Sequence, residues 1–203
     1  MQILKEEVHN KIINAAKEEF LEYGYSGASM RRISKKIGMT VGNIYRYFSS
    51  KEDLFHKLLE PSLNEIEDIF NSLGQEEFMN STIEELIEVI TNYIMTARRK
   101  YKGEFLILID GCEGSGFESI KEEWIAEMAT KIRTSAMNLF SEKEMPFDLE
   151  FFPQIIAEAW LESMVKAIKL IEDEKELERN LRAIERLYLG YFMNERKHEI
   201  VRK

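Results

Sequence analysis

Gly38-Met39-Thr40-Val41-Gly42-Asn43-Ile44-Tyr45-Arg46-Tyr47-Phe48 is the stretch that decides how this chain folds. Gly38 ends one helical pattern. Thr40 is a residue type that caps the start of another, predicted over Val41–Phe48. Just upstream, Ser29 is placed to cap a short helix from Met30 to Ile37, whose Ile33 and Ile37 face inward. A joint of Gly38-Met39 plus the cap forces the two helices to cross steeply, which is the helix-turn-helix arrangement. Within the second of them Ile44 and Phe48, four residues apart, share an inward face. Thr40, Val41, Gly42, Asn43, Tyr45 and Tyr47 occupy the opposite face and the N-terminal end.

Outward from this unit, almost every segment has helical periodicity. A first helix, Lys5 to Tyr23, carries Val8, Ile12, Ala15, Ala16 and Phe20 on one stripe, and Gly24 stands where a left-handed cap is wanted. Ser50-Lys51-Glu52-Asp53 resembles a capping box that opens a fourth helix toward Phe70. Beyond Leu73-Gly74, Ser81-Thr82 offers a cap for a helix to about Tyr101, followed by a short apolar piece from Phe105 to Asp110. A helix from about Glu118 to Ser141 and a turn at Met145–Asp148 come next. Pro153 sits in the first turn of a helix to about Glu172, and the last helix runs from Glu176 to about Ile200. Period-two alternation never lasts long enough for a sheet. The expected fold is all-α, about nine helices, divided into residues 1–50 and residues 51–203.

The charge is distributed unevenly. The 203 residues carry a net charge of −9, yet residues 1–60 hold ten Lys/Arg against eight Asp/Glu. Arg31 to Lys51 includes Arg31, Arg32, Lys35, Lys36, Arg46 and Lys51 and no acid. A cationic block on an anionic molecule is the electrostatic footprint of a nucleic-acid reader, although a solvated basic face has the same composition. Cys112 is the single cysteine, which excludes an intrachain disulfide and a multi-cysteine zinc site. The longest apolar run, Phe105 to Ile109, is far short of the roughly 18 residues of a membrane span, and the N-terminus has no signal-peptide pattern. A cytoplasmic protein with no membrane partner is expected.

On a helix that points its N-terminus into a major groove, the first turn meets base edges. Asn43 has the amide to read adenine bidentately, and Thr40 and Val41 the methyl groups to contact thymine. Gly42 leaves room for close backbone approach. Tyr45 and Tyr47 reach toward phosphate oxygens, and Lys51 adds charge.

Ala15-Ala16 through Phe20, Gly24-Tyr25, Ser29-Met30-Arg31-Arg32-Ile33, Gly38-Met39 and Ile44 through Leu54 closely resemble the N-terminal domain of the TetR/AcrR family of bacterial transcriptional regulators. The resemblance covers roughly residues 8–58. It implies an all-helical homodimer with a three-helix DNA-binding domain. The C-terminal domain it implies binds a small-molecule effector and dimerises through the last two helices. By position it implies phosphate and base contacts for Ser29 and Arg31, base contacts for Val41, Gly42 and Asn43, and phosphate contacts for Tyr45, Tyr47 and Lys51. Gly42 and Met30 depart from common family choices, which leaves the operator sequence and a second hydroxyl contact open.

Past residue 60 the signals are weaker. Tyr93, Phe105, Phe117, Trp124, Met128, Trp160 and Met164 are candidate ligand-lining residues, since aromatic and Met-lined concavities suit apolar or cationic ligands. The same residues at helical spacing also make ordinary core. Cys112 reads as a small apolar residue, and His9, His56 and His198 have no metal-ligand spacing. The glycines from Gly111 to Gly116 lack the Lys and Ser/Thr of a phosphate loop, so neither an enzyme nor a cofactor is expected. The leading expectation is a DNA-binding transcriptional repressor released by an effector. A helical ligand-binding module without specific DNA binding is the alternative. A membrane-surface sensor is disfavoured because the basic block lies on two short helices joined by a tight turn.

Overall fold

The computed structural model describes residues 2–72, 81–140 and 145–202, with side chains over 5–71, 81–138, 140 and 145–190. The expected break at Leu73-Gly74, the helix end at Ser141 and the side chain of Tyr191 lie outside these. The described residues form eight helices and no strand: α1 (Gln2–Gly27), α2 (Met30–Lys36), α3 (Val41–Ile44), α4 (Lys51–Ser72), α5 (Ile83–Asp110), α6 (Ile120–Leu139), α7 (Phe152–Leu170) and α8 (Glu174–Arg202).

The chain divides into two compact units, and neither is a single run of sequence. The first comprises Met1–Ile66 and Tyr101–Lys121; the second comprises Glu67–Lys100 and Glu122–Lys203. Helices α4 and α5 each contribute to both. In α5 the change falls at Tyr101, whose φ of −130° and ψ of 22° interrupt the helix. The break expected near Tyr101 is therefore a kink, and the apolar piece after it is helical.

In the first unit the apolar stripe of α1 meets α2, α3 and α4. Ile12, Phe20, Ile33, Ile44, Phe48 and Phe55 are each buried to within about one percent. Fully burying a side chain of this size stabilises by about 1.5–3 kcal/mol. Residues expected to face inward do so. Gly24 takes φ 64° and interrupts α1. After α2, Gly38 takes φ 69°, and its N–H donates to the Lys35 carbonyl while that of Met39 donates to the Ser34 carbonyl. This paired closure is a Schellman motif, and only glycine enters its left-handed position without strain. The segment after α5 closes onto the same unit: the Tyr25 N–H donates to the Gly111 carbonyl at 2.8 Å, and the Phe117 ring lies against Phe55 and His56.

In the second unit Met95, Met164, Ala167, Leu177 and Leu181 form a buried cluster flanked by Ile94, Trp160, Ile171 and Ile184. Thr82 and Glu85 make a reciprocal capping box at the start of α5: the Glu85 N–H donates to Thr82 Oγ1 at 3.3 Å and the Thr82 N–H to Glu85 Oε2 at 2.7 Å. Pro153 lies in the first turn of α7, as expected. Arg98 Nη2 donates to the carbonyls of Ile171 and Glu172, filling the open end of α7. No described helix is long and apolar enough to cross a membrane.

Candidate nucleic-acid interface

The surface in question belongs to the first unit. Thr40 caps α3 as its sequence position suggests, with Oγ1 accepting the Asn43 N–H at 3.2 Å. The α-helix then runs only from Val41 to Ile44. Arg46 and Tyr47 continue in tighter three-residue turns, their N–H groups donating to Asn43 and Ile44. The helix predicted over Val41–Phe48 is therefore shorter than expected, because Ser49-Ser50 begin the next cap: the Asp53 N–H donates to Ser50 Oγ while the Ser49 N–H donates to Asp53 Oδ2. The Ser49 backbone N–H and hydroxyl, both donating to the carboxylate, hold Asp53 below the usual carboxylate range.

Ser29 occupies the N-cap position of α2, but its hydroxyl makes no capping bond. A carboxylate from α1 binds the backbone at this position instead. Glu19 Oε1 accepts the Ser29 backbone N–H at 2.8 Å and the Arg32 Nε–H at 2.7 Å. Nothing in the local sequence at Ser29 signals this; the partner lies ten residues upstream.

The exposed face carries most of the proposed readers. Arg31, Gly42, Asn43 and Tyr45 are exposed, Tyr45 at 46%. Val41, Tyr47 and Ser29 are half-buried. A methyl group placed on Gly42 would meet nothing within 4 Å, so the approach to the start of α3 is open. Lys51 is placed differently from the rest. Its ammonium donates to the Tyr25 carbonyl at 2.7 Å and lies 4.2 Å from the centre of the Tyr25 ring.

The cationic block, free of acids in sequence, is not so in space. Glu19 pairs with Arg32 at 2.6 Å, and Glu18 pairs with Lys36. Both acids project from α1. The side chains of Arg31, Lys35 and Arg46 form no ion pair with a described residue. These three are presented; Arg32, Lys36 and Lys51 are held.

A sequence model for bacterial regulatory proteins of the tetR family matches residues 12–58, the span that builds this helix-turn-helix. Over these residues the chain is similar to the TetR family. Among curated proteins, the HTH-type negative transcriptional regulator of a biofilm operon, IcaR of Staphylococcus epidermidis, is 25% identical over 171 residues, covering 82% of this chain and 90% of its own length. The first curated regulators matched are covered more narrowly, over 36–40% of their lengths. Among solved structures, a TetR-family regulator from Streptomyces coelicolor has a TM-score of 0.64 at 20% identity, covering 88% of this chain and 89% of that one. FadR from Bacillus subtilis, solved in complex with stearoyl-CoA, has a TM-score of 0.56 at 16% identity, covering 91% and 97%. Both likenesses are of fold.

The candidate ligand residues are distributed over both units. Phe105 and Phe117 belong to the first unit; Tyr93, Trp124, Met128, Trp160 and Met164 belong to the second. Met164 is part of the buried cluster, Trp160 packs on it, and Trp124 is buried beside Phe70. Tyr93 is exposed and Met128 half-buried. Cys112 is buried, its Sγ donating to the Ile107 carbonyl at 3.4 Å, and burial pushes its thiol up to about 11. Of the histidines, His9 lies 4.9 Å from the Phe48 ring, half-buried rather than on the surface. No group of three potential metal ligands occurs among the described residues.

Proposed function

We propose that this chain is a dimeric, ligand-responsive transcriptional repressor. Two copies of the helix-turn-helix would read a near-palindromic operator in double-stranded DNA, and a small molecule bound in the second unit would release them. The observation that carries this reading is the outward set Arg31, Val41, Gly42, Asn43 and Tyr45 around the Thr40-capped end of α3, open to approach and flanked by the unpaired cations Lys35 and Arg46. Asn43 supplies the base-reading amide, and Val41 the methyl contact. Arg31, Tyr45 and Tyr47 would fix register on the phosphates, with the Ser29 hydroxyl available because it caps nothing. Thr40 contributes its methyl group, since its hydroxyl is engaged with Asn43. Lys51 would reach phosphate only on leaving Tyr25.

The dimer would form through α7 and α8, where Ile155, Leu170 and Leu187 stand exposed at 60–79%. Residue pairs on such a two-fold interface contact one another reciprocally. The effector is of apolar character, matched to the aromatic and methionine side chains of the second unit. Stearoyl-CoA bound to Bacillus subtilis FadR is one ligand of that character. No catalytic role is proposed.

A mobility-shift titration against the DNA upstream of the protein's own gene tests this. The expected result is a discrete shifted band, sensitive to salt, in which Asn43→Ala relaxes preference at one base pair of each half-site. Binding no tighter than to unrelated duplex would instead favour the helical ligand-binding module.

A further inference from the structure

Three basic side chains of the helix-turn-helix are held and three are presented; acids of α1 hold Arg32 and Lys36, while Tyr25 holds Lys51. Arg32 is the most completely held. Its Nε donates to Glu19 Oε1 at 2.7 Å, its Nη2 lies 2.6 Å from the same oxygen and donates to the Gly27 carbonyl at 2.6 Å, and its guanidinium carbon sits 4.1 Å from the centre of the Tyr23 ring. Planar stacking and forked hydrogen bonding together fix a guanidinium in both position and orientation. Glu19 is the anchor, since its side chain is 7% exposed while that of Arg32 is 47% exposed. The same Glu19 oxygen takes the Ser29 backbone N–H at the start of α2.

We propose that Glu19 is a specificity-determining positioning residue: it withholds Arg32 from the DNA backbone and leaves Arg31 alone of the tandem pair to contact phosphate. This rests on the DNA-binding reading above. Its physical consequence lies in the balance between general and specific affinity. Each phosphate neutralised by a cation adds the same sequence-independent attraction to every site on a genome. A reader that keeps one arginine off the backbone lowers its affinity for all DNA while retaining the base contacts of α3, so its preference for the operator rises. Glu18 also pairs with Lys36, with both side chains largely exposed. Two carboxylates one residue apart on α1 therefore set how many charges the motif offers.

The test uses the full chain and a fluorescent 30-base-pair duplex of random sequence, so it needs no knowledge of the operator. Binding is titrated by anisotropy over a range of salt, and the slope of log K against log salt is read. Glu19→Gln keeps the shape and the acceptor for Ser29 but releases Arg32. The slope is expected to steepen by about 0.9, one added phosphate contact, with tighter non-specific binding. Glu19→Gln with Arg32→Gln is expected to return to the wild-type slope, and Arg31→Gln alone to become shallower by about 0.9. A helix brace with no electrostatic role would lower thermal stability in Glu19→Gln and leave the slope where it was. That outcome, or a double variant as shallow as Arg31→Gln, overturns the proposal. Should Glu19→Gln not fold, Arg32→Gln alone decides: the wild-type slope is expected, and a slope shallower by about 0.9 overturns the proposal. Failure of the DNA-binding reading looks different: the wild type itself would show no salt-dependent binding.

Discussion

Trp160 on α7 points its indole N–H at Glu185 on α8, with Nε1 3.2 Å from both carboxylate oxygens and Glu185 wholly buried. A buried carboxylate with one neutral donor is poorly compensated, and loss of water dominates: burial pushes the carboxyl up to about 7, partly offset by the Trp160 bond. One turn further along the same pair of helices, Ser163 Oγ and Tyr188 Oη lie 3.1 Å apart.

This relationship gives stability a pH dependence of definite sign. Folded Glu185 holds its proton up to about 7, whereas the unfolded residue releases it near the usual value of 4.5. The folded state thus binds more protons between those limits, and stability falls as pH rises through the window. The contribution lost is about 3 kcal/mol at the upper end. Glu185→Gln, which keeps an acceptor for Trp160, should melt above the wild type at pH 8, with the gap closing toward pH 5. Melting curves in which the wild type is the more stable at pH 8 would contradict this.

Gly42 separates folding from DNA binding. It lies in α3 with open space where a side chain would begin. Gly42→Ala should leave the melting temperature unchanged or raise it, since alanine is favoured over glycine in a helix by about 0.5–1 kcal/mol. The same methyl group should weaken operator binding about tenfold by standing between backbone and groove. Thermal melts and DNA titrations of one preparation check both; a variant that melts lower and binds equally well would refute the assignment.

Cys112 should be inert in the folded protein. Its thiol is buried and held up to about 11, so almost no thiolate exists at neutral pH. An aromatic disulfide reagent at pH 8 is expected to label it only in denaturant. Rapid labelling of native protein would contradict this.

Leu187 is exposed at 73% on α8, as Ile155 and Leu170 are on α7. Sedimentation at micromolar concentration should give a dimer, and Leu187→Glu a monomer that still melts cooperatively. A wild-type monomer would remove α7 and α8 as the interface.

The sequence made the helices legible where periodicity and caps agree. Thr40 and Ser50 cap as expected, Gly24 and Gly38 take positive φ, and Ile44 and Phe48 are buried. It misled where a partner comes from another helix. Ser29 has the right residue type at the right place, yet its hydroxyl caps nothing and Glu19 takes its backbone N–H. The run from Arg31 to Lys51 contains no acid, yet Glu18 and Glu19 neutralise two of its six cations across the α1–α2 packing. A charge count along the chain does not register neighbours ten to twenty residues away. Likewise, nothing in the composition of Phe105 and Phe117 announces that they belong with the N-terminal helices, because that depends on the kink at Tyr101 and the closure of Gly111 onto Tyr25.

The most direct measurement is selection of duplexes by the full chain from a pool of random sequence, followed by sequencing of the bound fraction. The expected result is an enriched near-palindrome whose half-sites share one major-groove face, with one dyad-related base pair losing its preference when Asn43→Ala is selected in parallel. Recovery of sequences without two-fold symmetry, or identical enrichment by both proteins, would contradict the assignment of α3 as the element that reads DNA.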